Sequence, residues 1–324
     1  FDWPRVFRWP ITLREASADI DWHRTDRTWT LGTRAARLSQ PTAQASGSFQ
    51  LVVPPKPESP VLTIHARVDG SDASITPQFL PANRLKGHAL AWLDRAFVAG
   101  RVSNGRFDYQ GPVRSFPFRN GEGEFTASAD VSDATLDYFA GFAPLTHANG
   151  RVEFRNAGMS AQLKDGQVAG LKVTGGDYTL ADFRDGTMVI NATGNGDLGA
   201  ALKYLQGSPL GPHLGRFVMG LAGSGPADFV FGLSLPHEPP EGPPVPADYR
   251  VVANLKGVNV TLPALRAPAQ KVAGRFELHN LEMTAPSLRG TILGGPFEVA
   301  IAPGTLAGEV TAAIDFKGRG RATG

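Results

Sequence analysis

The sequence contains no cysteine, so neither disulfide bonds nor cysteine-ligated metal sites are available to it. This absence does not fix the compartment, because many envelope proteins also lack cysteine. The 7 histidines are scattered, and no two stand at the short spacing of a two-ligand metal motif. We therefore expect no bound metal.

Long apolar runs and an excess of charge are missing as well. No apolar run reaches the roughly 18 residues of a membrane-spanning helix. The 32 basic and 30 acidic residues nearly balance without forming a basic block, so nucleic acid is not an expected partner. The chain shows no signal peptide, and its pattern starts and stops within a repeat. We interpret it as a segment of a longer protein whose membrane anchor lies elsewhere.

The main positive feature is an internal repeat. Residues 129–170 align without a gap on residues 253–294, and 12 of the 42 positions are identical. A weaker third copy places 19–22 on 151–154. A fixed period is typical of repeat architectures, in which each unit packs on its neighbours. The repeat predicts three units: a partial β unit with a terminal helix at 1–97, a complete β unit at 98–217, and a partial β unit with a proline-rich loop at 218–324.

Within these units the pattern predicts strands. Apolar and polar residues alternate, which is expected of strands with one apolar and one solvated face. Helical spacing of apolar residues occurs only at 77–97 and at about 197–206. The stretch 236–246 has 6 prolines and predicts an extended surface loop. The predicted fold class is mainly β, with a long antiparallel sheet of tandem repeats and a few short helices.

One motif has the form of a nucleotide-binding loop. Gly194–Gly199 matches GxGxxG between a predicted strand and a predicted helix. However, no acidic residue follows at the distance that ribose binding needs, and Asp197 would repel a pyrophosphate. We expect a glycine-rich turn and no cofactor. Acidic residues elsewhere alternate with apolar ones, and no nucleophile-elbow pattern is present, so we do not expect an enzyme.

The chain resembles the central part of a YhdP-type AsmA-like envelope protein, chiefly over about 75–175. The motifs that carry this resemblance are structural, not catalytic: Leu80-Pro81, Leu90–Ala96, Gly100–Val102, Gly105, Tyr109–Pro112, Phe116–Phe118, Ala134–Tyr138 and Gly150–Phe154. The resemblance implies a sheet curled into a U-shaped, taco-like trough. It also implies a periplasmic segment of a protein anchored in the inner membrane, which moves phospholipid towards the outer membrane.

The strand pattern supports an apolar groove independently of the family. A sheet with one apolar face must bury it, and the few short helices cover little area. A curled sheet would leave an apolar channel suited to phospholipid acyl chains, with both membranes contacted by other parts of the protein. The candidate lining residues are Ile20, Trp22, Phe125, Val131, Leu136, Val152, Phe154, Met159, Phe276, Leu278 and Met283.

Two other functions remain open at this point. A structural or scaffold module of the envelope would close the same apolar face by packing. A polysaccharide-active β-solenoid would need carboxylates clustered on one rung. The repeated methionines Met159 and Met283 fit either core filling or a pliable lipid-facing surface. Copurification of lipid distinguishes an open groove from a closed core.

Overall fold

The computed structural model describes residues 13–41, 43–72, 95–138, 140–213, 218–236, 247–261, 268–306 and 309–318. Most of these residues form strands, and neighbouring strands pair in antiparallel register. The predicted mainly β, antiparallel fold class is therefore confirmed, and this arrangement is consistent with a curled sheet. The chain divides into two compact units: unit 1 comprises 1–138, 146–163 and 179–187, and unit 2 comprises 139–145, 164–178 and 188–324.

Unit 1 is an antiparallel sheet in which strands follow one another along the chain. The β3 strand pairs with β1 and β2 on one side and with β4 on the other, and β5 connects β4 to β7. The strands are β1 Glu15–Ala18, β2 Asp21–Thr25, β3 Thr28–Ser39, β4 Gln44–Val53, β5 Val61–Asp69, β6 Ser71–Asp72, β7 Phe97–Pro112 and β8 Glu124–Leu136. A 3₁₀ turn at Val113–Ser115 follows β7.

Three strands are divided between the units: β9 Leu145–Arg155, β10 Gly158–Val168 and β11 Leu171–Leu180. Unit 2 continues with β12 Met188–Asp197, α1 Leu198–Gln206, β13 Ala222–Ser224, β14 Pro226–Leu235, β15 Asp248–Thr261, β16 Ala269–His279, β17 Glu282–Ile292, β18 Gly295–Leu306 and β19 Glu309–Gly318. The β14 strand pairs with β12 and β15, and each later strand pairs with the next.

The sequence repeat is also a repeat of backbone conformation. Asn156 and Asn280, 124 positions apart, both have positive φ, 49° and 53°. The backbone N–H of Asn156 donates to the carbonyl of Phe125, and that of Asn280 donates to the carbonyl of Tyr249, both at 2.9 Å. Each Asn Oδ1 accepts the N–H of the same partner in return. One asparagine-closed turn thus occurs twice; the limits of the three predicted units stay a prediction.

Bulges interrupt the alternation of several strands. Asp133 and His147 have φ of 48° and 50°, and their repeat counterparts Gly257 and Lys271 have φ of 79° and 53°. The pairing of β15 with β16 shifts register beside Gly257, as expected of a β-bulge. A bulge moves later residues to the opposite face, so a strict two-residue period does not hold along a whole strand.

The predicted helix at 197–206 is confirmed, because α1 spans Leu198–Gln206 with Asp197 as its N-cap. Most of the helix predicted at 77–97 falls on 73–94, outside the described residues; Arg95 and Ala96 are helical, and β7 already begins at Phe97. The predicted loop at 236–246 likewise lies almost wholly outside them. None of the described helices is both long and apolar enough to cross a bilayer.

Candidate functional site

In unit 2 the apolar face of the sheet is covered by α1 and by the described residues that follow it, 207–213 and 218–221, which we call the return segment. Leu198 of α1 belongs to a buried cluster with Val258, Val272 and Phe297, and Leu202 packs against it. A second cluster contains Leu210, Val218, Leu233, Tyr249 and Leu278, with Leu205 packed against it. The helix and its return segment therefore close this part of the sheet as a hydrophobic core.

Hydrogen bonds fix the return segment in place. The side-chain amide of Gln206, the last residue of α1, donates to the carbonyls of Val218 at 3.0 Å and Leu221 at 2.9 Å. The buried hydroxyl of Ser208 donates to Leu205 O and accepts from Leu210 N–H. The Ser208 bond satisfies a carbonyl of the last turn of α1, and the Gln206 bonds tie the helix end to residues 218 and 221.

In unit 1 the corresponding face is more exposed. Trp22, Leu31, Leu51 and Leu62 lie in one cross-strand row over β2 to β5. Two members of this row are exposed to solvent: Trp22 is 67% exposed and Leu31 is 36% exposed. Leu51 and Leu62 are half-buried. Exposed large apolar side chains that lie together are a candidate binding surface. We call this row and its flanking Trp29 the exposed apolar row.

Aromatic side chains close one end of the unit 1 sheet. Tyr109 lies directly opposite Phe125 and stacks on Phe116, with ring centroids 5.9 Å apart. Phe118 is only 1% exposed, with its ring 5.1 Å from that of Tyr109. Phe125, a predicted groove residue, therefore lies beside a packed aromatic group.

A rim loop covers another predicted groove residue. Phe154 stacks on Phe183, with ring centroids 6.2 Å apart and an interplanar angle of 17°. The loop that carries Phe183 is anchored by Asp182, whose carboxylate accepts two hydrogen bonds from Arg119. The Arg119 hydrogen bond is the main cause that lowers the pKa of Asp182. Phe154 is half-buried as a result.

The structure places the predicted groove residues in three environments. The exposed members are Ile20 and Trp22. The buried members are Met159 and Leu278, at 7% and 2% exposure. The half-buried members are Phe125, Val131, Leu136, Val152, Phe154, Phe276 and Met283, of which Phe276 and Met283 pack against the clusters beneath α1. Burial of Met159 agrees with core filling.

Sequence patterns did not single out two groups that belong to this face. Trp29 and Leu31 belong to the exposed apolar row. The alternation of apolar and polar residues along β3 could have predicted that both lie on the apolar face. Leu210 and Val218 enter the core from the segment after α1. No periodic pattern marks these two, because both lie outside the strands and outside α1.

The glycine-rich motif has a structural explanation. Gly194 and Gly196 lie within β12, and the carboxylate of Asp197 accepts the backbone N–H of Ala200 at 3.1 Å and of Gly225 at 2.6 Å. The bond from Gly225 is the main cause that lowers the pKa of Asp197. A carboxylate thus occupies the helix N-terminus where a bound pyrophosphate would lie.

We expect Gly199→Ala to destabilise the chain and to leave nucleotide binding absent in both proteins. A Cβ at Gly199 would lie 2.4 Å from the carbonyl oxygen of Gly223, so α1 or β13 must shift, at about 1–3 kcal/mol. Gly232→Ala is the control, because its Cβ would meet only Asn191 Oδ1, at 3.6 Å. Thermal melting and NAD or ATP titration measure the two effects; nucleotide affinity lost in the variant would contradict this assignment.

The ionisable residues of the described strands form surface pairs. His65, His147 and His279 each contact an aspartate on a neighbouring strand, at 2.7–2.8 Å. The His279 hydrogen bond is the largest cause that lowers the pKa of Asp248. In the part of the chain that the structure describes, no three His, Asp or Glu residues group as metal ligands. The arrangement offers apolar contact surface, and these histidine–aspartate pairs join neighbouring strands at its exposed side chains.

These features define a class of protein: an antiparallel β-repeat chain that presents an apolar sheet face, partly open and partly covered by a short helix. A family profile described as YhdP protein matches residues 1–323, and the chain belongs to that family. The intermembrane phospholipid transporter YhdP of Escherichia coli (strain K12) is 22% identical over 294 residues. The match covers 91% of this chain and 23% of that protein. No solved structure matches this chain significantly.

Proposed function

We propose that this chain is a segment of an envelope lipid-transport protein, and that its apolar face carries phospholipid acyl chains between the inner and outer membranes. The proposal joins family membership to one observation, the exposed apolar row of unit 1. The E. coli relative is named as an intermembrane phospholipid transporter, and the present chain spans about a quarter of its length. A carrier of this kind binds and releases lipid without catalysis.

The exposed apolar row is suited to acyl chains because it is continuous across strands. Leu31, Leu51 and Leu62 are direct neighbours on β3, β4 and β5, and the parallel row Thr33, Phe49, Ile64, Tyr109 and Phe125 runs beside it. Neighbouring strands lie about 4.8 Å apart, so each row offers apolar contacts at closely spaced steps. The contacts of a sliding acyl chain can therefore be exchanged one strand at a time.

The partners and location follow from the same proposal. The chain would lie in the periplasm, and its contacts with both membranes would be made through other parts of the protein. The eleven predicted groove residues remain candidates for the lining. Trp22 and Ile20 are the most exposed of them, at 67% and 54%, whereas Leu278 packs in the closed core of unit 2.

A structural envelope module is the second candidate. The observation that favours it is the closed core of unit 2, where α1 covers Leu278 and packs around Phe276. A scaffold would bury its apolar face throughout, whereas the exposed apolar row remains in contact with solvent.

Lipid analysis of the purified chain tests the proposal. We expect the chain, secreted to a bacterial periplasm and purified without detergent, to carry phospholipid detectable by mass spectrometry. Lipid-free protein should also take labelled phospholipid from vesicles, because the exposed apolar row is favourable to cover. A chain that purifies without lipid and takes up none would support the scaffold function instead.

A further inference from the structure

The exposed apolar row ends in a cation beside the β2–β3 turn. Arg24 lies directly opposite Trp29 in the register of β2 and β3. Its guanidinium carbon is 5.4 Å from the centroid of the Trp29 ring. Trp22, two residues earlier on β2 and on the same face, lies with its ring centroid 5.8 Å from that of Trp29. One cation and two indole rings therefore share one corner of the sheet.

Among the residues that the structure describes, the Arg24 guanidinium makes a single hydrogen bond. Its Nε donates to the backbone carbonyl of Asp26 at 3.0 Å. A guanidinium has five N–H donors, and no carboxylate of the described residues forms an ion pair with Arg24. Asp21 lies on the other face by strand alternation, and Asp26 contributes its carbonyl. Within the described residues, the remaining donors therefore lie next to apolar surface and face no carboxylate.

We propose that Arg24, Trp22 and Trp29 form a headgroup site that binds the phosphate of a phospholipid whose acyl chain lies on the exposed apolar row. This inference rests on the proposed function and names the part of the lipid that is recognised. Arginine binds phosphate oxygens through paired N–H donors. Tryptophan suits the boundary between apolar and wet surroundings, because its ring is large and its N–H is polar.

The size of the apolar surface agrees with this ligand. The row from Trp22 to Leu62 crosses β2 to β5, and three steps of about 4.8 Å between neighbouring strands span about 14 Å. One leaflet of a bilayer is about 15 Å of hydrocarbon, half of the roughly 30 Å core. An acyl chain that starts beside Arg24 would therefore contact the exposed apolar row over most of its length.

Two soluble lipids with the same short acyl chains test the site on the whole chain. Dihexanoyl phosphatidylglycerol carries the phosphate, and dihexanoylglycerol lacks it. We expect the unmodified protein to bind the phosphate-bearing lipid about tenfold more tightly, measured by isothermal titration, because charge-assisted hydrogen bonds add to apolar contact. Arg24→Gln should remove this preference and leave the affinity for dihexanoylglycerol unchanged.

Two further variants separate charge from apolar contact. Arg27→Gln removes a neighbouring positive charge in the β2–β3 turn and should keep the preference. Trp22→Ala should lower the affinity for both lipids by the same factor, because it removes apolar surface that each of them covers. Both residues are exposed, so neither change should lower the melting temperature appreciably.

The possible outcomes are distinct. Equal affinity of the unmodified protein for the two lipids would overturn the headgroup site and leave the proposed function standing. Loss of the preference in Arg27→Gln as well would show a general effect of charge and would also overturn it. Binding of inorganic phosphate alone as tightly as the phosphate-bearing lipid would assign the site to the free ion. Absence of binding for both lipids would overturn the proposed function and this site together.

Discussion

Leu278→Asp should unfold unit 2. Leu278 is 2% exposed and packs in the cluster with Tyr249, Leu233 and Val218 beneath the segment that follows α1. An aspartate there would lose the apolar contacts of leucine and place an unpaired carboxylate in a closed core. The combined cost is about 3–5 kcal/mol, a large part of the stability of a typical domain. Denaturant unfolding monitored by far-ultraviolet circular dichroism measures this change in the free energy of unfolding.

The control for this prediction is Leu293→Asp. Leu293 lies at the tip of the β17–β18 turn and is 75% exposed, so the same change of side chain should cost less than about 1 kcal/mol. Its φ of 49° is also better tolerated by aspartate than by leucine. If Leu278→Asp were as stable as Leu293→Asp, the cluster beneath the helical segment would not be a closed core.

Phe154→Asp should reduce the lipid carried by the chain while unit 1 stays folded. Phe154 occupies the same position of the repeat as Leu278, 124 residues earlier, but it is half-buried and stacks on Phe183. A carboxylate at this site can remain partly hydrated, so the cost in stability should be about 1–2 kcal/mol. An acyl chain that replaces this water would leave the charge unsolvated, which should lower lipid loading about tenfold.

Gln162→Asp is the matched control for Phe154→Asp. Gln162 is exposed on β10, so an added negative charge there should alter neither stability nor bound lipid. Both variants need measurement of melting temperature and of phospholipid per protein after identical purification. A folded Phe154→Asp protein with its normal lipid load would remove this residue from the groove lining. An unfolded one would favour a closed core in unit 1 and the scaffold function.

Local patterns in the sequence were sufficient for the elements of this fold. The alternation of apolar and polar residues predicted strands, because strand side chains point to opposite faces in turn. The 124-residue period predicted the recurring turn, since Asn156 and Asn280 make equivalent hydrogen bonds to Phe125 and Tyr249. The helix at α1 was predicted from its apolar spacing. Each of these signals lies within a few residues or repeats at fixed distance.

Sequence patterns were insufficient for the bulges and for the register they create. A bulge adds one residue to one strand, and the cost or gain depends on the partner strand. Asp133 and His147 occupy left-handed backbone positions that Asp and His tolerate better than most residues, which is only a weak local signal. The face on which Val131 and Leu136 lie is therefore a property of the paired strands.

The sequence alone determined that the chain is a repeat of antiparallel strands with one apolar face, because period and alternation are local properties. Tertiary structure decided which parts of that face are covered. Phe154 and Leu278 share a repeat position, yet only Leu278 lies in the core that the segment after α1 closes. Burial depends on segments distant in sequence, and no spacing within a strand encodes which segment will pack against it.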